Sequence, residues 1–101
     1  MTPYKCEFHS EVQSDYSEAY GWYESQKKGL GERFLTFVRR KIDQIAEHPE
    51  NYGVRTRKDY REVQVDIFPY LIVYKIYKQS KTVLIISIHN TKKHPRKKYR
   101  K

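Results

Sequence analysis

His89 closes the apolar run "VLIISIHN", and Lys92 and Lys93 follow it directly. An imidazole titrates near neutrality, so it can take or give a proton at physiological pH. Arg55, Arg57 and Arg61 precede it in the chain, and Arg96, Lys97 and Lys98 lie beyond it. Guanidinium and ammonium groups of this kind hold phosphate oxygens. Tyr99, within the same basic stretch, offers a ring for base stacking and a phenol for proton donation. RNA cleavage through a 2′-hydroxyl needs these parts: a base, cations for the developing phosphorane charge, and an acid for the leaving oxygen.

Each residue also has a plainer use. His89 at a strand end can simply bond to a neighbouring backbone carbonyl. Arg61 shares a face with Val63 and Val65, so its stem can lie over the rim of a sheet. The run "TKKHPRKKYRK" is expected to leave the sheet, since Pro95 opposes a continuing strand, and reads chiefly as a docking surface, with a solvated tail as the plainer use. His9, His48 and His94 are weaker candidates, the last two because each precedes a proline and reads as a loop residue.

Charge narrows the partner. The formal net charge of the 101 residues is +9, but residues 1–50 carry seven Lys/Arg against nine Asp/Glu. Residues 51–101 carry fourteen Lys/Arg against three Asp/Glu, so all the excess positive charge lies in the second half. Such asymmetry fits an anionic partner, whether nucleic acid, ribosome or an acidic protein segment. Cys6 is the only cysteine, which excludes a disulfide framework and a zinc cluster; it reads as a small core side chain. "MTPYKCEFHS" has no apolar stretch of the signal-peptide kind. The greasiest run, "YLIVYKIY", is broken by Lys75 and is too short to span a bilayer. A cytoplasmic protein with no membrane partner, no cofactor and no metal is expected.

The elements that must position these groups follow from periodicity. "PYKCEFH" reads as a first strand. Ser10 and Gln13 have the spacing of a capping box, and Val12, Tyr16, Ala19, Tyr20 and Tyr23 then mark one face of a helix over residues 11–27. After "KKGLG", Leu30, Phe34, Phe37, Val38, Ile42 and Ile45 mark a second helix over 30–47, which Pro49 stops. The short loop between them predicts an antiparallel helical hairpin. Beyond "HPENYG" the period becomes two. Residues 54–58 predict a short edge strand. In "YREVQVDI", Val63, Val65 and Ile67 face one way and Glu62, Gln64 and Asp66 the other. "FPY" predicts a turn, and "LIVYKIY" and "VLIISIH", joined by "KQSK", predict the central hairpin. The expected fold is α+β, in the order β-α-α-β-β-β with room for one extra short strand. An antiparallel twisted sheet should pack against the N-terminal helical hairpin. One domain spans 1–101, with 91–101 as a basic tail.

In this order, "EAYGWYESQKKGLGERFLTFVRRKIDQIAEHPENY", "YREVQVDIFPYLIVYKI" and "VLIISIHNTKKHP" resemble the RelE/ParE superfamily over nearly the whole chain. The "GLGERF" helix start, the "HPENY" helix stop, the "FPY" strand pair and "IHNTKKHP" carry the likeness. The resemblance implies a bacterial toxin of a type II toxin–antitoxin pair, silenced by a cognate antitoxin. RelE-like members cut mRNA in the ribosomal A site, whereas ParE-like members inhibit DNA gyrase without being nucleases. In the RelE-like branch the resemblance places basic residues at alternating positions of the strand before the central one. It places an Arg directly after the Tyr that opens the next strand. Here those positions hold Glu62, Gln64 and Leu71. The departure favours the ParE-like branch, which acts on DNA gyrase by protein binding. The alternative is a ribosome-dependent mRNA endonuclease using His89 with Arg61, Tyr99 and the neighbouring Arg and Lys. On the stripe of the first helix, Tyr16, Tyr20 and Tyr23 are either core or the groove for an antitoxin helix. Trp22, off the stripe, is either an interface anchor or packed on a loop.

Overall fold

The computed structural model describes residues 3–55, 59–93 and 98–100, with residues 54 and 55 described in backbone only. The order is β1 (Lys5–Phe8), α1 (Val12–Gln26), α2 (Leu30–Glu47), β2 (Val54–Arg55), β3 (Arg61–Gln64), β4 (Tyr70–Tyr77) and β5 (Thr82–Asn90). This is the expected α+β arrangement, including the extra short strand. In the sheet the strands lie in the order β1-β5-β4-β3-β2.

The helical hairpin is held at its turn by one carboxylate. Gly29 caps α2 without a side chain to offer, and Glu24 on α1 supplies the missing acceptor. Its two oxygens take the N–H groups of Gly29 and Gly31, each at 2.9 Å. Free amides at a helix start are thereby satisfied from the neighbouring helix. A Cβ at position 31 would meet the Tyr20 ring at 2.8 Å and the Tyr20 carbonyl at 2.9 Å. The "GLG" stretch therefore sets how closely the two helices approach. α2 then buries Phe34, Val38, Ile42 and Ile45, and α1 buries Val12 and Ala19.

Three local expectations are corrected. Ser10 does not cap α1. The N–H of Glu11 instead donates to Nδ1 of His9 at 3.1 Å, and that of Val12 to the His9 carbonyl at 3.0 Å, so His9 supplies the acceptors at the helix start. Next, the sheet is mixed rather than purely antiparallel, since β1 runs parallel to β5, from Lys5↔Thr82 to Phe8↔Ile85. No hairpin turn ties β1 to its partner, and alternation along a strand carries no information about its direction. Last, Ile67 does not follow Val63 and Val65 inward. The chain turns at Asp66, two residues before "FPY", and Ile67 stands at φ 60°, 69% exposed. Gln64 closes that turn by donating its amide to the Phe68 carbonyl at 2.8 Å. Phe68 then folds back against Tyr23, Phe34 and Phe37.

β4 and β5 are apolar on both faces because both faces are covered. On the helix side Ile72, Tyr74, Val83, Ile85 and Ile88 join the main core. On the second face Val73, Ile86 and Tyr60 form a smaller core closed by Leu84 and Tyr99. A register shift between Val73 and Tyr74 in their pairing with β5 inserts Ile86 as an extra residue. Such a bulge re-aims the side chains beyond it.

Tyr74 ties the sheet to the loop after α2. Its buried hydroxyl reaches the carbonyls of Pro49, at 2.7 Å, and Tyr52, and burial pushes its pKa up to about 12. Gly53 sits beneath it at φ 78°, where a Cβ would come within 3.0 Å of that hydroxyl and 3.1 Å of the Glu62 carbonyl. Tyr74→Phe leaves two carbonyls without their donor, so it should destabilise the fold by about 1–3 kcal/mol. Urea unfolding monitored by circular dichroism measures this. An unchanged midpoint would show that the hydroxyl is dispensable.

Candidate functional site

The antiparallel register of β3, β4 and β5 builds rows across the second face of the sheet. Gln64 pairs with Leu71, and Leu71 with His89. One step along, Glu62 pairs with Val73 and Val73 with Ser87. The three positions that the resemblance singled out, Glu62, Gln64 and Leu71, therefore share one face with His89. The Lys98–Arg100 segment lies across that same face. Ser87 Oγ donates to the Lys98 carbonyl at 2.9 Å, and the Tyr60 hydroxyl to the Arg100 carbonyl at 3.0 Å. Glu62 receives Lys98 Nζ at 2.9 Å and the Tyr99 hydroxyl, while the Tyr99 ring packs on Tyr60 at 4.9 Å between centroids.

Arg100 completes the attachment at the edge of the sheet. β1 ends its pairing at Ile85, so the edge of β5 is open beyond it. There Asp15 of α1 accepts the Ile88 N–H at 2.9 Å, and Arg100 Nη1 donates to the Ile86 carbonyl at 3.2 Å. The two side chains meet in a bidentate pair, at 2.7 and 2.8 Å, with only 14% and 10% of their side-chain surfaces exposed. Neither residue stood out in the sequence. The available signal was Asp15's position, three residues after Val12 and four before Ala19. A carboxylate so close to a buried stripe needs a partner.

The expectation that 91–101 leaves the sheet as a free basic surface is therefore corrected for its end. Lys98 is ion-paired and mostly covered, and the Tyr99 hydroxyl is occupied by Glu62. The run reads as solvated in sequence because its partners, Glu62 and Asp15, lie far away in the chain. Lys92 and Lys93 are exposed, with Lys93 against the Glu18 carboxylate. Arg57, Arg96 and Lys97 lie outside the described residues. Arg55 pairs with Arg61 between β2 and β3. Arg61 is on the helix side of the sheet, its guanidinium near the Glu50 carbonyl at 3.5 Å, and so is not brought to His89.

His89 is half-buried beside a pocket of about 520 Å³ between α1 and the end of β5, which Asp15, Glu18, Tyr70, Asn90 and Lys93 also line. Burial, and then the Lys98 charge, hold its pKa below the ordinary value of 6.5, with a smaller opposing pull from Glu62 and Asp15. The imidazole is therefore neutral at pH 7. Among the described residues it bonds to no carbonyl or carboxylate, so neither its plainer use nor a catalytic partner is found there. Of the described cations on this face, Lys98 and Arg100 are engaged by carboxylates, and Lys75, four residues along β4 from Leu71, lies over the Tyr60 ring at 4.5 Å. No metal-ligating cluster occurs among the described residues, and no described helix is long and apolar enough to cross a membrane.

On α1, Tyr16 borders a groove with Phe8, Leu35 and Arg39. Tyr20 lies against Gly31. Tyr23 is half-buried in the aromatic cluster with Phe34, Phe68 and Tyr70. Trp22 is 60% exposed.

Two outcomes follow. Arg100→Ala strands the covered Asp15 carboxylate and should cost about 3 kcal/mol of stability. An unfolding midpoint equal to the parent's would show that the pair holds nothing in place. Because the folded-state pKa of His89 is depressed, the unfolded chain binds the proton more readily. Stability should fall as pH drops from about 6.5 through the lower folded value. His89→Gln should flatten that slope in urea titrations, and an unaltered slope would assign it to other groups.

The sequence matches the family model of the ParE toxin of the parDE type II toxin–antitoxin system over residues 6–95. No curated protein matches it. Among solved structures, the fold is similar to one from the chromosomal ParDE toxin–antitoxin system of P. aeruginosa. The TM-score is 0.77 at 10% identity, covering 89% of this chain and 98% of that one. It is also similar to a chain of the RelBE2 toxin–antitoxin complex from Mycobacterium tuberculosis, with TM-score 0.68 at 19% identity and 89% and 93% covered. A mutant E. coli RelE toxin in the free state follows with TM-score 0.65 at 18% identity, covering 87% and 83%. These likenesses show the fold, and the match over residues 6–95 shows the family: the chain belongs to the ParE toxins of type II toxin–antitoxin systems.

Proposed function

We propose that this type II toxin acts by binding a target protein, DNA gyrase, and not by cutting RNA, and that a cognate antitoxin neutralises it. One observation carries the reading: among the described residues, the cations beside His89 on the second face of the sheet are already held by carboxylates. Glu62, Gln64 and Leu71 occupy the positions that are basic in RelE-like toxins. The described cations that act on His89, Lys98 and Arg100, neutralise Glu62 and Asp15. A developing phosphorane charge would meet a carboxylate, an amide and an aliphatic chain there.

The antitoxin reading is supported by the toxin–antitoxin assemblies to which the fold is similar. A partly acidic, amphipathic antitoxin segment would lie along Tyr16, Tyr20, Trp22 and Tyr23 and reach the basic half, ordering as it binds. Lys92, Lys93, Arg96 and Lys97 are the basic residues assigned to target or antitoxin contact, together with Arg55, Arg57 and Arg61. Lys98 is withdrawn from that set because Glu62 already holds it.

The test is transient expression in bacteria with DNA supercoiling, mRNA ends and translation followed together. Loss of supercoiling with intact mRNA is expected, and rapid cleavage of translated mRNA would instead establish the endonuclease. His89→Ala should retain full toxicity, whereas a general acid or base would cost about 10²–10⁴-fold in rate. Neutralising Lys92, Lys93, Arg96 and Lys97 should weaken binding most at low salt, where charge attraction is least screened. Binding indifferent to those changes would leave the stretch a solvated tail.

A further inference from the structure

The Asp66–Pro69 turn combines two unfavourable features that nothing inside the fold requires. Ile67 is held at φ 60°, a conformation that β-branched residues rarely adopt. Its side chain, instead of being rewarded by burial, is 69% exposed. Strain of this kind clusters at ligand clamps and binding sites. The residues on either side of Ile67 are both anchored: Asp66 pairs with Lys41 at 3.6 Å, and Phe68 is buried against Tyr23 and Phe37. The Val65 N–H, bonded to the Tyr70 carbonyl at 2.9 Å, and the Gln64 amide, bonded to the Phe68 carbonyl at 2.8 Å, close the turn that presents Ile67.

Around it the surface is aromatic and basic. The Tyr23 and Phe68 rings meet at 5.0 Å between centroids, and Tyr23 also contacts the exposed Trp22 at 5.5 Å. Phe37, which touches Phe68, carries the guanidinium groups of Arg33 and Arg40, each 5.6 Å from its centroid. Neither arginine makes an ion pair among the described residues. Exposed aromatic and arginine side chains around an apolar anchor are the composition of an interface centre.

We propose that Ile67, with Trp22, Phe37, Arg33 and Arg40, forms a docking surface for a polypeptide segment that carries an apolar side chain flanked by carboxylates. On the reading above, that segment belongs to the antitoxin. The unpaired arginines select the acidic flank, and the closed turn offers Ile67 without an ordering cost on binding.

The experiment uses the full-length toxin and the antitoxin encoded beside it, with affinity and urea unfolding measured on the same variants. Ile67→Asn is compatible with the left-handed backbone. It should unfold at a higher urea concentration than the parent and bind the antitoxin at least tenfold more weakly. Arg33→Ser with Arg40→Ser should lower affinity and flatten its dependence on salt. If the parent binds tightly and Ile67→Asn binds equally well, this surface is not the interface. If Ile67→Asn is less stable than the parent, the residue serves the fold. If the parent binds no antitoxin at all, the reading on which the proposal rests falls, and the proposal with it.

Discussion

The open edge of β5 constrains the rest of this molecule. β1 covers that strand only as far as Ile85, and the bulge at Ile86 leaves backbone groups beyond it facing outward. Asp15 takes one N–H, Arg100 supplies one carbonyl's donor, and the two side chains bind each other. Helix, sheet and chain end are thereby joined through a single ion pair. Pairs buried to this degree add little net stability against an apolar substitute, because both ions lose water. What they add is position. An arginine that must find this one carboxylate fixes where Lys98 and Tyr99 lie.

That placement decides the chemistry of the second face. Glu62 read alone is an anion that would repel RNA. In the fold it is the acceptor for Lys98 and Tyr99, and the face becomes a packed surface around Tyr60, Val73 and Ile86, with Lys75 over the Tyr60 ring. His89 sits at its margin with its charged form disfavoured by burial and by Lys98. The same residues that looked like loose parts of a catalytic centre, His89, Lys98 and Tyr99, are brought close, yet two of them are already engaged with the protein itself. Arg61 is on the other face altogether. Net charge could not have revealed this, because a cation counts the same whether it is solvated or spent on an internal carboxylate.

What the sequence made legible is what rests on short-range pattern. The α2 stripe of Phe34, Val38, Ile42 and Ile45 placed that helix correctly, and Pro49 marked its end. The continuous runs in β4 and β5 announced the central hairpin, though not the second core that covers its other face. Less legible were features set by long-range geometry: the parallel direction of β1, the reach of Arg100 to Asp15, and the helix cap that Glu24 supplies across the hairpin. Alternation also failed at Ile67, where the period of two continued on paper after the chain had already turned. Local pattern cannot report a turn that a side chain helps to close, as the Gln64 amide does here beside the Val65–Tyr70 backbone bond.

The left-handed positions show how that failure becomes informative. Among the described residues φ is positive at Gly29, Gly53, Ile67 and Lys81. Gly29 and Gly53 obey the rule that such backbone favours glycine, and at Gly53 the Tyr74 hydroxyl leaves no room for anything larger. Lys81 is unbranched at Cβ and closes the β4–β5 hairpin with its ammonium 5.7 Å from the Tyr4 ring centroid. Ile67 fits neither description: its branched Cβ makes the backbone costly, and no burial offsets the cost. A glycine there would serve the fold better on both counts. The side chain is therefore best explained by something outside the chain, and the unpaired arginines beside Phe37 give that partner its charge.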